Sequence, residues 1–358
     1  MTVRDSTEQA DSTERPRRLP LAGYRVVDFS SALAGPWAAG ILAEQGADVV
    51  KIEQPGTGDV LRHTGPSHGG VSAFFHMANR GKRSIALDLR DPGDRETALL
   101  LVEGADVVVQ NFRPGVADRL GVGYGALRAR RADVILVSIT GFGPTGPYAG
   151  RPAYDSVIQA AAGLASTQRS ADDEPQLGTH TIADKITSMA AAQAAVTALL
   201  ARERGHGGQQ VDVPMFDVAV AFTWTDCAGW PTLVDAGVVD GSAATQGRRC
   251  VRFIDGWGAM TLGSSSARLG AGAVFGIATD LDPAAFMDGV RAVAATLPLR
   301  ETADRLAAAG VPFAAVTSVD ELVDDPQVVA TDLLVVTHHP AAGALREPPP
   351  PSPVGGGL

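Results

Sequence analysis

The segment YRVVDFSSALAGPWAAGILAEQGADVVKIE, residues 24–53, determines the fold class. Its first six residues form a short apolar run typical of a buried strand, and residues 47–53 form another. Between them, residues 35–46 are small and apolar, which predicts a helix, and Gly46 is placed to end it. A strand, a helix and a second strand in this order indicate a βαβ unit with parallel strands.

The same alternation continues along the chain. We predict further strands at residues 84–89, 105–110 and 133–139, and helices at 92–103 and 115–131. The first half therefore predicts an α/β fold with a mostly parallel sheet. From about Pro231 the chain is richer in Gly and Ser, which indicates a smaller second domain. Its predicted elements are short strands at 251–253 and 259–262, and helices at 283–295 and 301–309.

Composition excludes several classes of protein. A chain of 358 residues with 45% apolar residues can bury the core of one large or two modest domains. The 30 basic and 40 acidic residues give a net charge of −10, which argues against a nucleic-acid partner. Cys227 and Cys250 cannot form a disulfide framework, and neither the cysteines nor the seven histidines show metal-ligand spacing. We expect no metal site.

The sequence also bears on localisation. The longest apolar stretch, residues 190–201, is shorter than the ~20 residues that a membrane span requires. Residues 1–18 are polar and lack the apolar region of a signal peptide. We therefore expect a cytoplasmic protein with no membrane association.

Two short motifs are candidates for ligand binding. NRGKRS, residues 79–84, concentrates Arg80, Lys82 and Arg83 in an acidic protein, and it is either a solvated turn or a seat for a polyanionic small molecule. QNFRPG, residues 110–115, follows a predicted parallel strand, and open α/β sheets bind ligands beyond such strand ends. A simple surface turn would carry the same Pro-Gly pair, so both interpretations stay open.

A third candidate is Asp184, which directly precedes a predicted amphipathic helix at residues 184–204. Met189, Val196 and Leu200 share one face of that helix, which predicts a packing surface. Asp most often serves as an N-cap at such a position. A helix N-terminus also favours the anion, and an ionised carboxylate is ready to act as a nucleophile.

Several catalytic fingerprints are absent from the sequence. The segment SSALAGPW after the first predicted strand contains no GxGxxG, the signature of a dinucleotide-binding sheet. Walker A, HExxH and GxSxG motifs do not occur either. The sequence therefore argues against a Rossmann-type oxidoreductase, which remains an alternative only on the strength of the predicted sheet.

These features, in this order, resemble the class III CoA-transferases, also called the CaiB/BaiF family. The matching runs lie between residues 21 and 217 and include NRGKRSIALDL, QNFRPG and IADKITSMAAAQAAVTALL. The resemblance implies a Rossmann-like large domain that the chain leaves, to build a smaller α+β domain, and then re-enters. It also implies two chains interlocked as a homodimer. The expected organisation is a disordered tail at 1–18, a large CoA-binding domain at 19–228, a small domain at 229–322, a return segment at 323–347 and a disordered Pro/Gly tail at 348–358.

The resemblance further implies an activity. Such an enzyme moves CoA from an acyl-CoA thioester to a free carboxylic acid through an aspartyl anhydride and an aspartyl-CoA thioester. CoA and acyl-CoA are then substrates, and no tightly bound cofactor is expected. Asp184 matches the family's nucleophile. The residues that match its CoA-binding segments are Ala34, Gly35, Pro36, Arg62, Asn79, Arg80, Lys82, Arg83, Asn111, Phe112 and Arg113.

Tyr154 distinguishes two branches of this family and is a candidate supporting residue. In the 2-methylacyl-CoA racemases its position holds a histidine that exchanges the α-proton with the aspartate. A tyrosine, with a reference pKa near 10, is a poor base at pH 7, so we prefer a transferase to a racemase. A catalytically decayed CoA-binding paralogue is a further alternative, because the glycine-rich loop that some transferases carry is missing from this sequence. Residues 255–258 are the nearest candidate and match it poorly.

Overall fold

The structure is a computed structural model that describes residues 19–168, 170, 172–235 and 250–349. The chain divides into two compact units. The large unit contains the residues up to Ala228 and those from Val335 onward, and the small unit contains residues 229–334. The tails predicted to be disordered fall outside the described residues, except for Pro348 and Pro349.

The large unit is built on a sheet of six parallel strands. The strands up to residue 228 are β1 (Arg25–Asp28), β2 (Asp48–Glu53), β3 (Ser67–His68), β4 (Val71–Ser72), β5 (Arg83–Ala86), β6 (Val107–Gln110), β7 (Ile135–Thr140) and β8 (Gln210–Pro214). The sheet has the order β5-β2-β1-β6-β7-β8, and β3 and β4 form a separate two-stranded ribbon. The central strands β6 and β7 are fully buried and mostly apolar, as expected of a parallel sheet covered on both faces. The predicted α/β fold is confirmed.

Helices cover both faces of this sheet. They are α1 (Ala34–Glu44), α2 (Ala73–Asn79), α3 (Pro92–Glu103), α4 (Val116–Arg119), α5 (Tyr124–Arg130), α6 (Asp155–Ala161), α7 (Leu164–Thr167), α8 (Ile182–Ala201) and α9 (Met215–Cys227). Helices α1, α8 and α9 pack on one face, and α3 and α5 pack on the other. Gly46 follows α1 with a φ of +103°, which fits its predicted role in ending that helix.

Helix α8 packs through a different face from the predicted one. Met189, Val196 and Leu200 are largely exposed, whereas the buried face consists of small residues. These are Ala183, Thr187, Ser188, Ala191, Ala192, Ala195 and Ala198, followed by Leu199. Small side chains let the backbones of α1 and α8 approach closely, so the shape of the contact decides the buried face rather than the size of the apolar side chains.

The small unit contains an antiparallel sheet with the order β11-β10-β9. Its elements are α10 (Gly229–Thr232), β9 (Val251–Arg252), β10 (Trp257–Met260), α11 (Ser265–Phe275), α12 (Pro283–Ala294), α13 (Leu299–Ala308), β11 (Phe313–Ala315) and α14 (Pro326–Ala330). Phe253, Phe286 and Leu306 lie in its core. Helices α12 and α13 agree with the predicted ones. Helix α11 was not predicted, because its Ser, Ala and Gly residues carry little helical periodicity.

The return to the large unit begins later than expected. Residues 323–334 were predicted to belong to the return segment, but they are part of the small unit. The reason is local packing, because α14 contacts the 3₁₀ turn Glu321–Asp324 that precedes it. The large unit resumes with an antiparallel hairpin of β12 (Val335–His339) and β13 (Gly343–Glu347). No helix among the described residues is long and apolar enough to span a membrane.

Candidate active site

Asp184 lies in the first turn of α8, as the third residue of the helix rather than its N-cap. Thr181 occupies the N-cap position, and its side chain makes no capping hydrogen bond. The backbone N–H of Asp184 donates to Asp155 Oδ1 at 3.0 Å. The predicted capping role is therefore wrong, and the Asp184 carboxylate is left for other contacts.

The environment of Asp184 sets its protonation. Burial, and secondarily the charge of Asp155, raise the pKa of Asp184 from 3.8 to about 7. The expectation that the helix N-terminus keeps this carboxylate fully ionised is therefore wrong, because desolvation outweighs the helix dipole. Gln159 holds the neighbouring carboxylate in place by donating from Nε2 to Asp155 Oδ2 at 2.6 Å. A pKa of about 7 means that Asp184 changes its protonation close to neutral pH.

A cleft of about 310 Å³ lies at the carboxyl ends of the parallel strands β1, β2, β5 and β6. This is where open α/β sheets bind ligands. Of the residues matched to CoA binding, only Phe112 lines it. The Phe112 N–H donates to Gln110 Oε1 at 2.6 Å, which fixes the turn that presents the ring. The other lining residues are Phe29, Ser30, Ser31, Lys51, Ile52, Glu53, Gln54, Gly58, Asp59, Leu87, Asp88, Leu89, Arg90 and Leu120.

The segment between β1 and α1 borders the cleft at its start and contacts α8 at its end. Ala34, Gly35 and Pro36 form the buried first turn of α1. A Cβ on Gly35 would lie 2.3 Å from the Cβ of Ser30, so only glycine fits there. Asn111 holds the segment from the opposite side, since its Oδ1 accepts from the Ser31 N–H at 2.9 Å and its Nδ2 donates to the Ser31 carbonyl at 2.7 Å. The Asn111 side chain therefore stabilises the segment between β1 and α1.

The ammonium group of Lys82 is bound by other groups of the protein. Its side chain is 2% exposed, and Nζ donates to Asp28 Oδ2 at 2.9 Å, to the Pro36 carbonyl at 2.5 Å and to Asn79 Oδ1 at 2.8 Å. Asn79 is buried as well. These three contacts occupy the ammonium group of Lys82, and the predicted contact with CoA phosphates stays a prediction. The residue sits inside the protein because a buried carboxylate, Asp28, requires a cationic partner.

Three other basic residues matched to CoA binding are paired with carboxylates. Arg62 donates from Nε and a terminal nitrogen to Glu53 at 2.7 and 2.6 Å. Arg80 pairs with Glu44, and Arg83 pairs with Asp48 on the surface. A second cavity of about 320 Å³ is lined by Arg62, Asn79, Arg80, Lys82 and Arg83. It is separate from the strand-end cleft, and Lys51 is the one residue that lines both. Arg113 is exposed. The structure thus does not gather the predicted basic residues at the cleft.

The fold and these sites can be compared with known proteins. A model of the family described as CoA-transferase family III matches residues 21–354. This chain belongs to CoA-transferase family III. The family resemblance inferred from the sequence is confirmed.

Two curated relatives and one solved structure show how similar this chain is to other members of the family. Acetyl-CoA:oxalate CoA-transferase of Acetobacter aceti is 41% identical over 213 residues, 59% of this chain and 55% of that protein. Succinate–glutarate CoA-transferase of Agrobacterium fabrum is 40% identical over 217 residues, 58% of this chain and 54% of that protein. The chain therefore matches about half the length of these curated relatives. The crystal structure of a CaiB/BaiF family protein from Brucella suis has a TM-score of 0.79 at 30% identity, over 94% of this chain and 97% of that one.

The sequence analysis did not identify three residues that lie at or next to the candidate active site of this CoA-transferase family member. Asp155 acts on the pKa of Asp184, Arg90 lines the cleft, and Ser188 bonds α8 to the first turn of α1. Only Asp155 had a local signal, as an acidic residue next to Tyr154. Tyr154 itself immediately precedes α6, and its side chain is 72% exposed. Within the described ranges, no three His, Cys, Asp or Glu side chains are grouped as metal ligands would be.

Proposed function

We propose that this protein is a CoA-transferase that moves CoA from an acyl-CoA to a free carboxylic acid, with Asp184 as the nucleophile. The observation that carries the proposal is the setting of Asp184, a carboxylate mostly removed from water, with a pKa raised to about 7 and a second carboxylate, Asp155, beside it. Strongly perturbed carboxyl groups are characteristic of catalytic sites.

The proposed reaction is a sequence of acyl exchanges at one carboxylate. An Asp184 oxygen attacks the thioester carbonyl, the C–S bond breaks, and an aspartyl-acyl anhydride and CoA thiolate form. The thiolate attacks the aspartyl carbonyl, releases the donor acid and leaves an aspartyl-CoA thioester. The acceptor carboxylate attacks this thioester, CoA thiolate leaves, and the thiolate then attacks the acceptor carbonyl of the new anhydride. The new acyl-CoA departs and the Asp184 carboxylate is regenerated. Covalent catalysis of this kind divides one difficult transfer into easier steps.

We propose that CoA enters through the strand-end cleft. In this arrangement the nucleotide end occupies the cleft beside Phe112, with Arg90 at hand for its phosphates. The pantetheine arm follows the segment from Ser30 to Pro36, and the thioester reaches Asp184. The contact between this segment and α8 supports the path, since it joins the border of the cleft to the helix that carries the nucleophile.

A racemase of the same family remains the alternative function. It would need a second acid–base group at the position of Tyr154, whose side chain is 72% exposed rather than enclosed beside Asp184. The two activities separate in deuterated water. A racemase incorporates deuterium at the α-carbon of a 2-methylacyl-CoA without any acceptor acid, whereas a transferase requires the acceptor and leaves that carbon unlabelled.

We also propose that the protein forms an interlocked homodimer. The chain leaves the large unit at Ala228 and returns at Val335, so the large unit is discontinuous in sequence, as the family resemblance implies. Exposed apolar side chains on α8 and α9 support an interface, among them Met189, Leu200, Phe222 and Trp224. Sedimentation at low micromolar concentration should give one species near twice the 36.9 kDa chain mass. A single monomeric species would contradict the interlocked arrangement.

The proposed function is tested by trapping the intermediate. We would incubate the protein with acetyl-CoA or succinyl-CoA, supply oxalate, succinate or glutarate, and analyse products and protein by mass spectrometry. Acetyl-CoA and oxalate are named for the first of the two curated relatives, and succinate and glutarate for the second; succinyl-CoA is the CoA ester of succinate. Hydroxylamine, which cleaves activated acyl groups, should leave a hydroxamate on Asp184 in the wild type and none in Asp184→Asn. CoA exchange by a folded Asp184→Asn variant at more than about one-hundredth of the wild-type rate would refute the proposed nucleophile.

A further inference from the structure

The β1–α1 segment, residues 29–36, is tied to its surroundings at almost every residue. The Ser30 N–H donates to Asp28 Oδ1 at 2.9 Å, and the Ser30 carbonyl accepts from Lys51 Nζ at 2.6 Å. The Ala32 N–H donates to Asp59 Oδ1 at 3.1 Å. Asn111 holds Ser31, and Lys82 holds the Pro36 carbonyl, as described above. Side chains from distant parts of the chain therefore determine the path of this segment.

Two features show that surrounding residues impose the backbone conformation of this segment. Ala32 has a φ of +64°, a left-handed conformation that a residue with a Cβ adopts at a cost. Such a conformation persists only where the surroundings impose it. The charges that impose it are buried, since Asp28, Lys51 and Asp59 are at most 2% exposed. Burial by itself would raise the pKa of Asp28, but the charges of Lys82 and Lys51 lower it below its usual value, so this carboxylate stays ionised.

Within the part of the chain that the structure describes, the side chain of Ser188 makes the hydrogen bond between this segment and α8. The residue is fully buried and lies one helical turn after Asp184. Its hydroxyl oxygen lies 2.8 Å from the Ala34 carbonyl oxygen and 2.8 Å from the Asp184 carbonyl oxygen, so its single proton is shared between these two acceptors. One hydroxyl thus bridges the turn that carries the nucleophile and the turn that ends the β1–α1 segment.

We infer that Ser188 is a positioning residue. Its hydroxyl holds the β1–α1 segment against α8 and so fixes the position of the cleft relative to Asp184. The catalytic part of this inference rests on the proposed CoA-transferase function. A displacement of about 1 Å between reacting groups can reduce a rate on the order of 100-fold, so a single bridging bond at this point has a measurable effect on turnover. Ser188 lies too far inside the protein to bind the substrate itself.

The chain offers a matched control in Thr187. It precedes Ser188, is also fully buried, and its hydroxyl also donates to the carbonyl four residues earlier, that of Ala183 at 2.7 Å. It makes no bond to the β1–α1 segment. Ser188→Ala and Thr187→Val therefore each remove one buried hydroxyl and one bond within α8. Only Ser188→Ala also removes the bond to Ala34.

The experiment compares turnover, CoA binding and amide hydrogen exchange in the wild type and both variants. We expect Ser188→Ala to lower kcat about 10-fold or more while the affinity for CoA, measured by calorimetry, changes less than about twofold. We expect amide exchange in residues 31–34 to accelerate at least about 10-fold in Ser188→Ala and to stay near the wild-type rate in Thr187→Val. Equal effects of the two substitutions on turnover and exchange would overturn the inference.

The same measurements separate this inference from the proposed function. A wild-type protein that transfers no CoA from any donor tested would refute the proposed function alone. Hydrogen exchange would still decide the role of Ser188. Faster exchange confined to Ser188→Ala supports the bridge, and unchanged exchange overturns it.

Discussion

Replacing Asp184 by Asn should remove catalysis and at the same time stabilise the fold at neutral and alkaline pH. The pKa of Asp184 rises from 3.8 to about 7 on folding. Between these values the folded protein keeps a proton that the unfolded chain has lost, so stability falls as pH rises from about 4 to about 7. At about 1.4 kcal/mol per pH unit, the loss reaches at most about 4 kcal/mol. Asn does not titrate and avoids this loss.

Urea unfolding between pH 4 and pH 8 measures the effect. We expect Asp184→Asn to match the wild type near pH 4 and to exceed its free energy of unfolding by up to about 4 kcal/mol at pH 8, while kcat falls roughly 10⁴–10⁶-fold. Protein concentration must be held constant, because association adds to the measured stability. The exposed Asp288→Asn substitution controls for charge removal and should change stability by less than about 0.5 kcal/mol. A difference between Asp184→Asn and the wild type that does not vary with pH would refute this reasoning.

Three further substitutions test the rest of the site. Asp155→Asn removes the second cause of the raised pKa of Asp184, so the acidic limb of the kcat/KM profile should move to lower pH; an unmoved limb would leave burial as the sole cause. Arg90→Ala should raise the KM for acyl-CoA about 10-fold with a smaller change in kcat, whereas exposed Arg128→Ala, outside the cleft, should leave both near wild type; equal KM values would remove Arg90 from the site. Lys82→Met should cost about 3 kcal/mol or more in urea unfolding, because it deprives a buried carboxylate of a partner; unaltered stability together with weaker CoA binding would favour the phosphate-binding role.

Much of the fold could be predicted from local sequence. The alternation of short apolar runs with helical segments predicts the parallel sheet, because strands buried on both faces need continuous apolar residues. Strand β8 escaped this criterion, since its sequence QVDVP alternates with polar residues and it is only partly buried at the edge of the sheet. The collinear motifs identified the family, and with it Asp184, because residue identity and spacing are properties of the chain alone.

The environment of those residues was decided only by the tertiary structure. Asp155 is 29 positions from Asp184, Lys82 is 54 positions from Asp28, and Ser188 is 154 positions from Ala34. No local pattern reports such pairs. Burial also depends on what packs above a side chain, so the same basic motif could be solvated, ligand-facing or, as Lys82 is, enclosed around a carboxylate. The sequence by itself determined which chemical groups are present, whereas solvation and neighbouring charge, which set their pKa values and availability, followed from how distant segments pack.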